Sequence, residues 1–134
     1  MTPEKTPTLA GVSLVVWRRV ALAAWFLVLV SLTLVPQPRL PVDRGLARIS
    51  ACLICGDRGA SDAILNVLLF LPLGLLLEVP GWKARHVLVA AFVLSLSIEV
   101  LQVFVPGRYS NLGDVAWNTS GGWLGAFLGV RRGS

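Results

Sequence analysis

Seven polar side chains interrupt apolar stretches of the chain, and their types are those that transfer protons or bind polar groups. They are Asp62, Asn66, Glu99, Gln102, Arg108, Asp114 and Asn118. A charged side chain at mid-membrane costs between about 2.5 and more than 10 kcal/mol, so it should face a protein interior and have a partner there. We therefore take these seven residues as the candidate ligand-binding residues.

Glu99 and Arg108 carry the strongest chemical signal among them. A buried glutamate is suited to general acid/base work, with its proton affinity tuned by burial and by Arg108. Glu99 can equally be the ion-pair partner of Arg108. The guanidinium of Arg108 can bind an anion, and an interfacial anchor is the alternative. Gln102, one helical turn from Glu99, is expected to share its hydrogen-bond network.

The other four polar residues have structural as well as functional interpretations. Asn66 and Asn118 can hydrogen-bond between helices, a contact worth only about 0.6 kcal/mol on average in membranes. Asp62 and Asp114 can cap helix N-termini. In a functional role all four would contact the same ligand, and in an enzyme Asp114 or Asp62 would complement Glu99 in catalysis.

Helical spacing places the polar residues on three stripes. Asp62 and Asn66 share one helix face because they are four residues apart. The second stripe is Ser95, Glu99 and Gln102, and the third is Asn111, Asp114 and Asn118. All three enter from one side of the membrane, with Glu99 roughly 10 Å below the turn that contains Arg108. The sequence therefore predicts a polar cavity that opens toward that side.

The composition is that of a membrane protein. Of 134 residues, 55% are hydrophobic and 14% charged, and the mean hydropathy is +0.75. A soluble domain is about half apolar and about a quarter charged, so the deficit of charge indicates a bilayer as solvent. We expect one transmembrane domain over residues 1–134. The net charge of +5 is explained by the segment flanks, and no basic stripe with aromatic residues indicates nucleic acid.

Four apolar segments each have about the length of one membrane crossing. They predict an all-α membrane protein with an antiparallel bundle of helices at about 17–36, 62–79, 85–105 and 112–130. The last two connections are tight Pro-Gly turns, so helices two, three and four should pack as antiparallel neighbours. The first connection, 36–61, is long. Its apolar spacing predicts either a short helix on the membrane surface or a loop packed over the bundle.

Lysine and arginine divide unequally between the two sides of this bundle. One side holds seven of them: Lys5, Arg18, Arg19, Lys83, Arg85, Arg131 and Arg132. The other side holds five, Arg39, Arg44, Arg48, Arg58 and Arg108, together with Asp43, Asp57, Asp62 and Asp114. The positive-inside bias predicts that both termini are cytoplasmic and that the polar cavity faces outward.

Two cysteines, Cys52 and Cys55, form a CxxC in the long external connection. A disulfide, two unpaired buried thiols, and a metal or redox site are the alternatives. A zinc site would need two more ligands, and the only histidine, His86, should lie across the membrane. We therefore expect no metal and no cofactor.

Gly121, Gly125 and Gly129 recur every four residues in the last helix and form a smooth face on which another backbone can lie close. The partner of this face is either helix two of the same chain or a second subunit. The second alternative would make the protein a homo-oligomer.

Two stretches carry a family resemblance: DAILNVLLFLPLGLLL, and SLSIEVLQVFVPGRYSNLGDVAWNTSGGWLGAFLG. They resemble the VanZ-like family of small bacterial membrane proteins. The matching residues, in order, are Asp62, Asn66, Phe70, Pro72, Gly74, Glu99, Gln102, Gly107, Arg108, Asp114, Asn118 and Gly121. The resemblance covers about half of the chain, from Asp62 to Gly129, whereas the first helix and the cysteine-bearing connection carry little of it.

The resemblance implies a bacterial cell-envelope protein of the inner membrane, associated with low-level resistance to the glycopeptide teicoplanin. Two hypotheses of function follow. In the first, the cavity binds an anionic lipid, a lipid-linked cell-wall component or a lipoglycopeptide-like molecule, with Arg108 at its mouth. In the second, the protein is a membrane enzyme with Glu99 as general acid/base and Asp114 as its complement. A scaffold built on the glycine face is a third interpretation.

Overall fold

The computed structural model describes residues 9–36, 49–54, 58–77 and 82–132. Within these ranges the chain forms four helices and two short strands. They are α1 (Leu9–Leu34), β1 (Ile49–Ser50), α2 (Gly59–Leu76), α3 (Ala84–Gln102), β2 (Ser110–Asn111) and α4 (Leu112–Arg132). The predicted all-α fold with four helices is confirmed.

Three helices of the described part of the chain are long and apolar enough to cross a membrane: the α1 segment Val15–Leu34, α2 and α3. α4, with 21 residues, is also long enough to cross. It is the least apolar of the four, because it carries several glycines and polar side chains. The protein is therefore a multi-pass membrane protein.

The helix boundaries differ from the predicted ones by a few residues. α2 begins three residues earlier than predicted, at Gly59, and α3 ends at Gln102, three residues before the predicted end. Beyond α3 the backbone tightens, since the amide of Val105 bonds the carbonyl of Gln102 at 3.0 Å. Gly107 then has a φ of 75°, a left-handed conformation that glycine adopts without steric cost. The chain thereby reverses direction between α3 and β2.

The long connection between α1 and α2 follows the loop alternative in its described residues. β1 pairs in parallel with β2, with Ile49 opposite Ser110 and Ser50 opposite Asn111. The indole of Trp117 donates to the carbonyl of Leu53 at 2.8 Å, which attaches the connection to α4. The other residues of the predicted surface helix, 37–48 and 55–57, lie outside the described residues.

α4 occupies the centre of the bundle. It packs most extensively against α2 and next against α3, whereas α2 and α3 barely touch each other. The antiparallel direction of consecutive helices is as predicted, but α2 and α3 are not neighbours. Two reversals of the chain make α4 parallel to α2, and α4 packs directly against it, with Gly121 facing Val67 and Gly125 facing Leu71.

The glycine face of α4 makes this close contact possible. A Cβ at Gly121 would overlap the carbonyl oxygen of Val67, and a Cβ at Gly125 would overlap that of Leu71. The predicted glycine face is therefore occupied by α2 of the same chain. A homo-oligomer through these glycines stays a prediction, and it would require a second copy to displace α2.

The apolar core lies where α1, α2 and α3 meet. Its buried residues are Leu29, Phe70, Leu73, Ala91 and Ile98. Most of the rest of α1 is exposed and so faces the lipid in a membrane. The core closes the bundle immediately beside the polar residues, since Ile98 also lines their cavity.

Candidate functional site

A cavity of about 490 Å³ lies among α1, α2, α3, α4 and the turn after α3. The structure brings all seven sequence-predicted ligand-binding residues to its wall: Asp62, Asn66, Glu99, Gln102, Arg108, Asp114 and Asn118. Its volume is within the range of small-molecule sites, which run from about 300 to 1,000 Å³.

The charge of the cavity wall changes along its depth. Arg58, just before α2, and Arg108, in the turn after α3, lie at the end where these elements emerge. The three acids, Asp62, Glu99 and Asp114, follow within the first or last turn of their helices. Asn66 and Asn118 lie deeper. Eight residues separate Arg58 from Asn66, which is about 12 Å along a helix.

Glu99 connects α3 to the start of α4. Its side chain is buried, with 3% exposure, and one carboxylate oxygen accepts the backbone N–H of Asn111 at 2.7 Å. The side chain of Ser110 gives it a second hydrogen bond. Among the described residues, the hydrogen-bond partners of Glu99 therefore belong to β2, and Arg108 is not one of them.

Glu99 and Asn111 together complete the N-terminal cap of α4. As the residue before α4, Asn111 accepts the N–H of Gly113 at 3.1 Å through its side chain, which is the N-cap bond. In a capping box, the third helical residue would accept the N-cap backbone N–H. Glu99 of another helix accepts that N–H instead, so Asp114 at the third position is available for other partners.

Asp114 connects α4 with α2 through its hydrogen bonds. It accepts the amide N–H of the Asn111 side chain at 3.2 Å and also bonds the side chain of Asn66. Neither Asp114 nor Asp62 is an N-cap residue, contrary to the structural interpretation of these acids. Asp62 lies in the first turn of α2, where the helix dipole favours a negative charge.

Asn118 is the deepest polar residue on α4 and lies against α3. Its side-chain N–H donates to the hydroxyl of Ser95 at 2.8 Å, and both residues are buried, with 3% and 0% exposure. The carbonyl oxygen of the same amide has no hydrogen-bond partner. Buried polar atoms are nearly always paired, so this buried oxygen beside the cavity is an acceptor without a partner in the described part of the chain.

Arg108 contacts the end of α1. Its Nε–H donates to the carbonyl of Val35 at 3.1 Å, and one terminal nitrogen donates to the carbonyl of Leu32. Leu32 lies in the last turn of α1 and Val35 directly follows the helix. Carbonyls at a helix C-terminus lack intrahelical partners, and a cation is favoured there. Burial lowers the pKa of Arg108, but an arginine stays charged in proteins. Three of its five N–H groups are not used by these two bonds.

Gln102 makes a similar contact with α1. Its side-chain nitrogen donates to the carbonyl of Thr33 at 2.9 Å. The predicted network partner of Gln102 was Glu99, and both residues do line the same cavity. The hydrogen bond of Gln102, however, goes to the backbone of α1.

Sequence reasoning missed the contribution of α1 and of two residues at the cavity mouth. Leu32 and Thr33 line the cavity from α1, and Arg58 and Tyr109 line it from the mouth. The backbone carbonyls of Leu32 and Thr33 accept hydrogen bonds from Arg108 and Gln102, and backbone carbonyls leave no signal in a sequence. Arg58 was detectable, because it lies four residues before Asp62 and so close to the same helix face.

Cys52 is disulfide-bonded, and it lies in the connection that packs on α4, away from the cavity wall. Cys55, its predicted partner, lies outside the described residues. Among the residues that the structure describes, no group of three or more histidine, cysteine, aspartate or glutamate side chains could hold a metal ion.

The fold and the cavity define a multi-pass helical membrane protein with a polar site between its helices. The family model VanZ/LLP1 matches residues 22–131, which is most of the chain, and the protein belongs to this family. The resemblance seen in the sequence is thereby confirmed, and the match extends it to the second half of α1. No curated protein and no solved structure matches the chain. Family membership supports a VanZ-like, resistance-associated membrane protein.

Proposed function

We propose that the protein binds an anionic lipid, lipid-linked or lipoglycopeptide-like ligand in the polar cavity, from the outer face of the bacterial inner membrane. The observation that carries this proposal is the convergence of seven polar side chains from three helices and one turn on a single cavity. Intramembrane ionisable residues that line a cavity mark a ligand or ion pathway in general.

The mouth of the cavity is suited to the anionic part of the ligand. Arg58 is exposed and lines the cavity at its mouth, so its guanidinium can reach an anion there. Arg108 keeps three N–H groups beyond its two bonds to α1. Two guanidinium groups at one mouth form a site for a phosphate or carboxylate, with which arginine makes charge-assisted hydrogen bonds.

One wall of the cavity is suited to the apolar part of the ligand. Leu32 of α1 and Leu65 of α2 line the cavity and are also exposed at the surface that faces lipid. Leu69 continues this apolar wall inward. A lipid tail can therefore pass from the cavity into the bilayer between α1 and α2 while its head group stays with the polar residues.

The orientation follows from the lysine and arginine distribution, which favours cytoplasmic termini. With that topology the cavity opens to the outer leaflet, where a cell-wall precursor or an acylated glycopeptide would be encountered. Capture or displacement of such a molecule would account for the association of the family with teicoplanin resistance.

The test is to identify what the purified full-length protein retains. Native mass spectrometry of mild-detergent preparations should show a bound lipid or lipid-linked species. Arg58→Gln should weaken retention about fivefold, because it removes one charged donor without removing a packing contact. Arg85→Gln is the matched control, since Arg85 is exposed at the opposite end of α3. Preparations free of any bound species, or equal weakening by both substitutions, would overturn the proposal.

Glu99→Gln separates binding from catalysis at the same site. The glutamine retains an oxygen that can accept the N–H of Asn111, so a binding protein should keep most of its ligand. If instead Glu99 is a general acid/base, the substitution should leave binding intact and abolish conversion of the retained species to a product. Mass measurement of that species before and after incubation distinguishes these outcomes.

A further inference from the structure

We propose that the floor of the cavity binds a primary ammonium group, so that the ligand is a lipid whose head group carries both a phosphate and an amine. This inference rests on the proposed function and specifies its ligand class. The phosphate would lie at the mouth with Arg58 and Arg108, and the ammonium would lie deeper, among the acids and Asn118.

The first observation is the unpartnered oxygen of Asn118. This residue is 3% exposed and lines the cavity, and its amide nitrogen is already bonded to Ser95 at 2.8 Å. The amide oxygen has no hydrogen-bond partner among the residues that the structure describes. With its nitrogen bonded to Ser95, the amide leaves an oxygen that can only accept, so a group that completes the site in this arrangement donates a hydrogen bond.

The second observation is the charge around this oxygen. Three carboxyl groups, those of Asp62, Glu99 and Asp114, line the cavity between its mouth and Asn118. The two lining arginines lie at the mouth, and Arg108 directs two of its donors to α1. The interior of the described lining is thus acidic. Like charges at close range destabilise one another, and a cation among them relieves this repulsion.

The hydrogen bonds already made by these acids leave capacity for such a cation. Glu99 accepts from Asn111 and Ser110, and Asp114 accepts from Asn111 and Asn66. An ionised carboxylate has about four acceptor sites, so each retains room for at least one more donor.

A primary ammonium fits this environment better than other donors do. It brings a positive charge and three N–H groups, one for Asn118 and two for carboxylates. A hydroxyl donates but carries no charge, and a trimethylammonium is charged but has no N–H.

The experiment compares three lipids with identical acyl chains that differ only in the head group. Phosphatidylethanolamine has a primary ammonium, phosphatidylcholine has a cation without N–H donors, and phosphatidylglycerol has hydroxyl donors without a cation. Each is added to the delipidated full-length protein in detergent, and retention is measured by native mass spectrometry. We expect phosphatidylethanolamine to be retained about tenfold more strongly than either of the others, as expected for a hydrogen-bonded charge.

Two substitutions and one control test the role of Asn118. Asn118→Leu should abolish the preference for phosphatidylethanolamine, whereas Asn118→Asp should retain it because acceptor oxygens remain. Ser120→Leu on the same helix is the control, since Ser120 is exposed and its hydroxyl bonds only the carbonyl of Ala116. Circular dichroism and gel filtration verify that each variant is folded. If Asn118→Leu does not fold, the wild-type lipid comparison and Asn118→Asp still decide.

Other outcomes contradict specific parts of the inference. Equal retention of phosphatidylethanolamine and phosphatidylcholine would mean that Asn118 is satisfied by water, and the ammonium inference would fail. Stronger retention of phosphatidylglycerol would identify a hydroxyl donor instead. In both cases the proposed lipid-binding function survives. If none of the three lipids and no other species is retained, the proposed function fails together with the inference.

Discussion

α2 contacts two helices in opposite ways. Against α4 it packs backbone to backbone, since a Cβ at Gly74 would overlap the carbonyl oxygen of Gly122. Against α1 it packs through side chains, with Leu29 of α1 buried against the core. It also accepts hydrogen bonds from two long side chains: the indole of Trp25 donates to the carbonyl of Leu69 at 2.9 Å, and Arg18 donates to that of Leu75 at 3.2 Å. The α2–α4 contact requires glycines, which have no side chain, whereas the α2–α1 contact is made by side chains.

This difference divides the cavity wall into a fixed part and a part that can move. Close packing without voids responds to a change of even one methyl group. Interhelical hydrogen bonds in membranes contribute only about 0.6 kcal/mol each on average. We therefore infer that α2, α3 and α4 form a rigid frame, and that α1 is a separately attached wall of the cavity.

The largest expected effect is on the α2–α4 contact. Gly74→Ala adds one methyl group where no space exists, and overpacking of this kind costs about 1–3 kcal/mol or more. Gly129→Ala is the control, because its Cβ would meet the carbonyl oxygen of Leu75 at an ordinary 3.7 Å. Thermal unfolding in detergent, followed by circular dichroism, should show a marked loss for the first variant and almost none for the second. Equal stability of the two variants would contradict the rigid-frame interpretation.

A smaller and local loss of stability is expected where Arg108 bonds the C-terminal end of α1. Arg108→Leu removes both hydrogen bonds to the α1 carbonyls of Leu32 and Val35. Hydrogen–deuterium exchange in residues 29–36 should accelerate about tenfold, as expected for lost bonds from a charged donor, while α4 stays protected.

Arg85→Leu is the matched control for this substitution, because Arg85 is exposed at the far end of α3. Acceleration in α4 as large as in α1 would mean that the turn after α3 stabilises the whole bundle. The division into frame and wall would then be wrong.

The sequence predicted the convergence of polar residues because helical spacing and depth are local properties. Asp62 and Asn66 share a face of α2 whatever the neighbouring helices are, and the same holds for the stripes on α3 and α4. Each polar group also had to face the interior. These two constraints were sufficient to place all seven residues on one cavity wall.

The partners of these residues could not be predicted, because they depend on which helices are neighbours. Short turns suggested that α2 and α3 pack together, but the glycine face of α4 fits α2 so closely that α4 lies between them. Arg108 was expected to bind an anion, pair with Glu99 or anchor the membrane interface. It bonds the backbone of α1, whose carbonyls have the same chemistry in any sequence.

The smallest expected effect measures a single α1 contact. Trp25→Phe keeps an aromatic ring but removes the N–H that donates to Leu69, so we expect a loss of about 0.6 kcal/mol in unfolding free energy. Trp17→Phe is the control, since Trp17 lies on the same helix and is 69% exposed. Combining Trp25→Phe with Arg108→Leu then tests the interpretation of α1 as a wall. If α1 detaches as a unit, either substitution weakens the same equilibrium. Their effects on exchange in residues 29–36 should then multiply, while exchange in α4 stays unchanged.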